Sequence, residues 1–190
     1  MNRKKIIILI IASAAVLAAG YFYSFVKRDC ALYNTDYSRS QMLPSVNIHE
    51  GNEFRYTFHC DKDNLTGIKV IISAVNADKP KGTIIYRLFD GDGSRISDDF
   101  TMKFSRFKNG KFTFLNTDTI KNSAGKDFTL VISCDADEDN GVILSGQPDD
   151  GSVAVSYTYV MWDLETMIIF IIFAAYLAAF MTVLLKIFRK

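Results

Sequence analysis

Apolar residues form two unbroken blocks near the ends of the chain and alternate with polar residues in between. No charged residue occurs from Ile6 to Val26, nor from Thr166 to Leu185. A helix needs roughly 20 apolar residues to cross the hydrocarbon core of a bilayer. Both blocks meet that length and predict two membrane-spanning helices. Between them the polarity repeats every second residue, the period of a strand with one buried face. Phe54, Tyr56, Phe58 and Cys60 share one face, as do Ile68, Val70, Ile72 and Ala74. Phe128, Leu130, Ile132 and Cys134 repeat the pattern, as do Val153, Val155, Tyr157 and Tyr159. Shorter runs at 83–89, 100–104, 111–115 and 141–145 bring the number of expected strands to about eight. Asp90-Gly-Asp-Gly93 is a turn signal between two of them.

No amphipathic helix interrupts this series. The physical solution is two antiparallel sheets packed face to face. Eight strands in that arrangement predict a jelly-roll-like, all-β sandwich flanked by two transmembrane helices. The expected layout is a tail at 1–5, a first span at 6–26, an irregular leader at 27–45, a sandwich at 46–162, a second span at 163–186 and a tail at 187–190.

Charge orients the spans. Arg3, Lys4 and Lys5 precede the first, and Lys186, Arg189 and Lys190 follow the second. Basic flanks stay on the cytoplasmic side, so both termini are expected inside and the sandwich outside. Lys27 and Arg28 oppose this order. Tyr21, Tyr23 and Trp162 stand near the outer ends, where amphipathic rings favour the headgroup layer. A cleaved signal peptide with one C-terminal anchor is the competing reading, favoured by small residues at Ala18–Gly20. Against it, the apolar run continues through Tyr21–Val26.

Small residues recur at four-residue spacing as Ala14/Ala18, Ala15/Ala19, Ala174/Ala178 and Ala175/Ala179. Such faces let helix backbones approach closely in lipid, against each other or against a polytopic membrane partner. Alanine is also simply common in membrane helices. Neither span carries an ionisable residue, which argues against an ion path or proton relay.

The whole chain carries 22 Lys+Arg and 21 Asp+Glu, net +1, but every carboxylate lies between 29 and 165 with only 14 of the cations. The central domain therefore has a net charge near −7, which gives no support to nucleic-acid binding.

Candidate chemistry is sparse. Cys60 and Cys134 take the inward parity of their strands. The plain reading is two small buried hydrophobes. The alternative is a disulfide between the sheets, given an extracytoplasmic compartment, with Cys30 left over. No Cys-x-x-Cys spacing supports a zinc site. Asp135, Asp137 and Asp139 alternate carboxylates as a calcium loop does, yet Asn140 and Gly146 stand where an EF-hand needs Gly and Glu. Apart from that possible calcium, no cofactor is expected. His49 and His59 are the two histidines, and no nucleophile, metalloprotease or phosphate-loop motif accompanies them. Asp98/Asp99 and Asp149/Asp150 are carboxylate pairs of the kind glycoside hydrolysis uses, but in loop sequence. The chain is therefore expected not to be an enzyme. Aromatics off the core parity are Tyr33, Tyr37, Phe100 and Phe107. Each would serve a sugar platform or pack beneath a loop.

The segments Asn64–Ile68, Lys81–Asp90, Phe112–Phe114, Ser123–Lys126 and Phe128–Ser133, taken in order, are similar to jelly-roll, carbohydrate-binding-module-like ectodomains. The resemblance is to those of bacterial membrane proteins of cell-surface polysaccharide assembly. It covers about half the chain, carries no catalytic signature and transfers no ligand residue. It implies an accessory protein of the bacterial plasma membrane that recognises or scaffolds components of cell-envelope polysaccharide assembly or export. A glycan-binding surface module acting without a fixed membrane partner is the alternative. A sensor is a third reading, but the short tails leave no room for an output domain.

Overall fold

A computed structural model describes residues 3–188. Arg189 and Lys190, part of the expected basic flank, lie outside the described residues. The chain divides into two compact units, one built from Met1–Lys27 and Met161–Lys190 and the other from Arg28–Val160.

The helical unit contains α1 (Arg3–Tyr23) and α2 (Leu164–Phe188). The first helix stops earlier than the apolar block that predicts it. The Ser24 hydroxyl donates to the Gly20 carbonyl at 2.6 Å, and the Ser24 amide donates to the same oxygen at 3.0 Å. Phe25 and Val26 then leave the helix for a strand. Asp163 caps α2 by accepting from the Thr166 amide at 2.9 Å and the Thr166 hydroxyl at 2.5 Å. That satisfies an orphan donor of the first turn. Among the described residues, α2 is the one helix long and apolar enough to cross a membrane. In α1 the corresponding apolar stretch is shorter, Ile10–Tyr23.

The second unit is an antiparallel two-sheet sandwich. Its strands are β1 (Phe25–Ala31), β2 (Leu43–Ile48), β3 (Glu53–Cys60), β4 (Leu65–Ala74), β5 (Thr83–Asp90), β6 (Phe100–Lys103), β7 (Lys111–Ile120), β8 (Lys126–Cys134), β9 (Val142–Gly146) and β10 (Val155–Trp162). One sheet runs β1-β10-β4-β9-β2, with β7 on the other edge of β4. The facing sheet runs β3-β8-β5-β6. All eight expected strands are present, most within two residues of the expected limits, but β7 runs on to Ile120, past the expected end at Leu115, and β10 starts later than expected, at Val155.

The two additional strands, β1 and β2, occupy the two ends of the stretch expected to be an irregular leader, at 27–31 and 43–45. Both are edge strands, which explains why their pattern is hidden. An edge strand tolerates charge and proline, because one side of its ladder has no partner. β1 accordingly carries Lys27, Arg28 and Asp29, and β2 carries Pro44.

The inward parity read from sequence is the observed core. Ile68, Val70 and Ile72 of β4 meet Leu130 and Ile132 of β8 in one cluster, all fully buried. Phe58 lies 5.9 Å from Phe128 beside it and stacks at 5.8 Å on Tyr157 of the facing sheet. These rings lock the two layers together. Sheet position decides what alternation alone does not. Central β4 is buried on both faces, with Ile71 on the outward parity at 1% exposure. Val131 of β8 is equally buried, because its cross-strand neighbours are Arg55 and Arg87. Their aliphatic stems cover it while the guanidinium heads stay wet.

Candidate functional site

The edges of the two sheets open a cleft of about 330 Å³ between β6 and β7, lined by Met102, Arg106, Lys108, Phe112, Thr113 and Phe114. It exists because both are edge strands, β6 pairing only with β5 and β7 only with β4. The loop joining them is pinned from within. Phe104 is buried, its amide donates to the Gly82 carbonyl at 3.0 Å, and its ring stacks on Phe107 at 5.5 Å. A side chain on Gly82 would meet the Phe104 ring at 2.7 Å, so glycine is required there. The loop's tip is tied to the end of β4. The Ala74 amide donates to Asn109 Oδ1 at 3.0 Å, and the Gly110 amide donates to Ser73 Oγ at 2.9 Å.

With its aromatics turned inward, the loop presents its cations to solvent. Lys103, Arg106, Lys108 and Lys111 are all exposed, and among the described residues none is paired with a carboxylate. Next to them, Tyr33 stacks on Phe112 with ring centres 5.7 Å apart and planes 29° from parallel. Both rings are half-buried. Phe114 packs against Gly67, where an added Cβ would fall 2.5 Å from the ring. The result is a rigid aromatic floor beside unpaired positive charge.

Of the four aromatics singled out from sequence, Tyr33 alone joins this floor. Phe100 stacks on Tyr86 at 5.3 Å, and Phe107 packs on Phe104, both against the core. Tyr37 stands beside Asp149, whose negative charge holds its phenol above the ordinary value. Sequence reading missed Arg106, Lys108, Phe112 and Phe114 as surface features. The signal was available: the stretch from Lys103 to Lys111 has four cations and no carboxylate in an otherwise acidic domain.

The remaining candidates are placed as follows. Cys60 and Cys134 are free thiols at opposite ends of one sheet, which corrects the alternative of a disulfide between the sheets and leaves the plain reading of two buried side chains. In the β3–β8 register Cys60 faces Lys126, and Cys134 lies beyond the Glu53–Ser133 pair at the other end. That separation is roughly 25 Å at about 3.4 Å per residue, far outside disulfide reach. Burial raises the pKa of both thiols. Cys134 Sγ donates to the Ile48 carbonyl at 3.3 Å, and Cys60 Sγ to that of Lys62 at 3.1 Å. Cys30 instead lies beside Tyr157, whose burial pushes its phenol well above the usual range.

Asp135, Asp137 and Asp139 do not converge. Among the described residues no group of three His, Cys, Asp or Glu side chains could hold a metal ion. Asp135 accepts from the Thr83 amide at 2.6 Å, and Asp137 accepts from the Asn140 amide at 3.0 Å. Asp135 and Asp137 thus serve turn hydrogen bonds, and the calcium loop weighed from sequence has no ligand cluster among the described residues.

His59 Nδ1 lies 2.7 Å from Asp127 and its Nε2 lies 3.6 Å from Asp61, all on an exposed surface. Nearby, Asp90, Gly91, Asp92, Ile96, Ile120, Lys126, Asp127 and Phe128 line a cleft of about 590 Å³. Asp99 bridges Arg87 at 2.6 Å and Arg95 at 2.5 Å, and the Arg87 hydrogen bond pulls its pKa down. Asp98 lines a neighbouring cleft with Arg95 and Asp118. Asp150 accepts from the Ser152 amide at 2.8 Å, which lowers its pKa, and Asp149 accepts from the Asp150 amide at 2.9 Å. His49 Nδ1 lies 2.9 Å from the Glu50 carbonyl.

In the helical unit, close approach is made by Gly20, where an added Cβ would sit 2.9 Å from the Phe170 ring. Tyr23 packs on the same ring at 5.5 Å. Ala174, Ala175 and Ala178 line a cleft of about 400 Å³ with Ala12, Ser13, Val16 and Leu17. Ala14, Ala15, Ala18, Ala19 and Ala179 are exposed and do not line it.

No protein-family model and no curated protein sequence matches this chain. Solved structures do. Latent PorU from Porphyromonas gingivalis is 16% identical over 72% of this chain, with a TM-score of 0.37; the match spans 13% of that chain. The carbohydrate-binding module CBM36, in complex with calcium and xylotriose, is 12% identical over 69% of this chain and 98% of its own, with a TM-score of 0.35. Isomalto-dextranase from Arthrobacter globiformis, complexed with panose, is 9% identical over 71% of this chain and 23% of its own, with a TM-score of 0.38. These neighbours include a carbohydrate-binding module and a carbohydrate-active enzyme.

Proposed function

We propose that this chain is a non-enzymatic accessory protein of the bacterial plasma membrane. Two helices anchor it, both termini are cytoplasmic, and the β-sandwich recognises or scaffolds components of cell-envelope polysaccharide assembly or export. The observation that carries the anchoring is the surface of α2. Ile169, Ile172, Phe173, Tyr176, Leu177 and Phe180 are exposed in a helix long enough to cross a bilayer. Water does not tolerate apolar surface on that scale, whereas lipid or a membrane partner does. The facing orders β2-β9-β4-β7 and β3-β8-β5-β6 support a jelly-roll description of the sandwich. The polysaccharide part of the reading rests on the sequence resemblance described above.

Purification of the tagged full chain from native membranes in mild detergent tests the proposal, with mass spectrometry of what accompanies it. A polytopic partner of envelope polysaccharide assembly in stoichiometric amount is expected. Recovery of the chain alone, after cross-linking as well, sinks the accessory reading and leaves the second one. In that reading the sandwich binds glycan with no fixed partner, and the half-buried Tyr33–Phe112 stack favours it.

A further inference from the structure

We infer that the cleft between β6 and β7 binds an anionic polysaccharide, with Arg106 and Lys108 holding its acidic groups and the Tyr33–Phe112 stack carrying its sugar rings. The inference deepens the proposed function by naming a ligand class and a site, and it rests on that reading for the sandwich facing the envelope.

Three observations converge on it. The first is charge. A domain with a net charge near −7 leaves one loop wholly cationic, and Lys103, Arg106, Lys108 and Lys111 have no carboxylate partners among the described residues. Arg55 lies 2.5 Å from Glu53, and Arg87 and Arg95 share Asp99, while other cations without a carboxylate partner among the described residues, such as Arg39 and Lys121, are scattered over the domain. Lys103, Arg106, Lys108 and Lys111 instead lie together within one loop, where their summed field favours an external anion. The second is preorganisation. Phe104, Phe107, Asn109 and Gly110 fasten the loop to Gly82 and to the end of β4, so little ordering is lost on binding. The third is the adjoining aromatic floor. The polarised C–H face of a pyranose ring lies favourably on the electron-rich face of an aromatic ring. An acidic protein segment would use the cations and have no need of that floor.

The test uses the full chain in phosphatidylcholine nanodiscs, titrated calorimetrically with hexagalacturonate. Its fully methyl-esterified form, polyglutamate and phosphatidylglycerol vesicles serve as comparisons. Hexagalacturonate is expected to bind and the neutral ester to fail. The double variant R106A/K108A is expected to weaken binding at least about tenfold, the loss of charge-assisted contacts. Tyr33→Leu removes the stack without touching charge and is expected to weaken binding too. Both variants change exposed or half-exposed positions, and their thermal melts check folding. Equal binding of polyglutamate, preference for the anionic vesicles, or indifference of hexagalacturonate binding to both variants overturns the inference. So does absence of hexagalacturonate binding to the wild type. None of these results bears on recovery of a membrane partner, so failure here is distinguishable from failure of the accessory reading.

Discussion

The two units handle apolar surface in opposite ways. In the sandwich, Leu130 and Ile132 of β8 are fully buried while their neighbours Thr129 and Ser133 are only half-buried. Apolar surface faces inward there, and strand parity hides these two side chains, while Val131 on the other parity is covered by its cross-strand neighbours. In α2, Ile172 is 64% exposed and Phe173 is 62% exposed, although they are adjacent and point in different directions. No parity operates, because the helix is apolar all round. The difference teaches what each unit needs from its surroundings. The sandwich supplies its own apolar environment, whereas the helical unit requires an external one.

Substitutions at matched positions sharpen this contrast. The largest effect is expected from Phe128→Ala in the sandwich core, where the side chain is 1% exposed. Loss of the ring leaves a cavity beside Phe58 and costs about 3–5 kcal/mol, read by denaturant unfolding of the full chain in detergent. Leu177→Ala, at an exposed position of α2, should leave the same transition in place. If both substitutions destabilise the sandwich equally, the division into two independent burial schemes is wrong.

The reverse experiment places a charge in the helix. Leu177→Lys should cost about 3 kcal/mol of membrane insertion, measured by partition of the segment in a translocation assay. Wild-type insertion efficiency in that variant would break the comparison from the helical side.

A smaller effect is expected at Gly67, whose added Cβ would lie 2.5 Å from the Phe114 ring and 2.7 Å from the Leu115 carbonyl. Gly67→Ala should destabilise by about 1–3 kcal/mol, the usual cost of overpacking. The Leu115 carbonyl is backbone and cannot swing away, so a neutral result would show that β4 and β7 can separate locally.

The smallest effect concerns the wet face of the sandwich. The Arg87 and Arg95 guanidinium groups hold the Asp99 carboxyl below the usual carboxylate range. A depressed carboxylate contributes stability above its unfolded value, and that contribution is lost as pH falls through the folded one. Asp99→Asn should therefore melt slightly lower than the wild type at pH 7, with the gap closing in acid. A gap that widens on acidification would remove Asp99 from the account.

The expected strands and the observed ones differ for reasons visible in particular residues. Phe54 to Cys60 and Phe128 to Cys134 announce themselves because both strands place a face in the core. β1 and β2 do not, since Lys27, Arg28, Asp29 and Pro44 are tolerated only at edges. The site divides similarly. Four cations without a carboxylate from Lys103 to Lys111 are legible along the chain, but the aromatic floor beside them is not. Tyr33 follows β1 and meets Phe112 of β7, a contact between residues far apart in sequence that no local pattern marks.

Alternation and the apolar blocks were enough by themselves to determine the kind of each major element, its approximate limits and its buried face. Local sterics and the transfer of apolar groups out of water act at every residue, and their record is written locally. Which faces meet was decided only in three dimensions. The inward parity of Cys60 and Cys134 was correct, but antiparallel pairing of β3 with β8 sends them to opposite ends of one sheet. Phe107 of the β6–β7 loop was read as off the core, yet the structure packs it on Phe104, and the cleft beside that loop depends on both strands being edges. Pairing joins residues distant in sequence, and hydrogen-bond register, unlike polarity, leaves no mark on either strand alone.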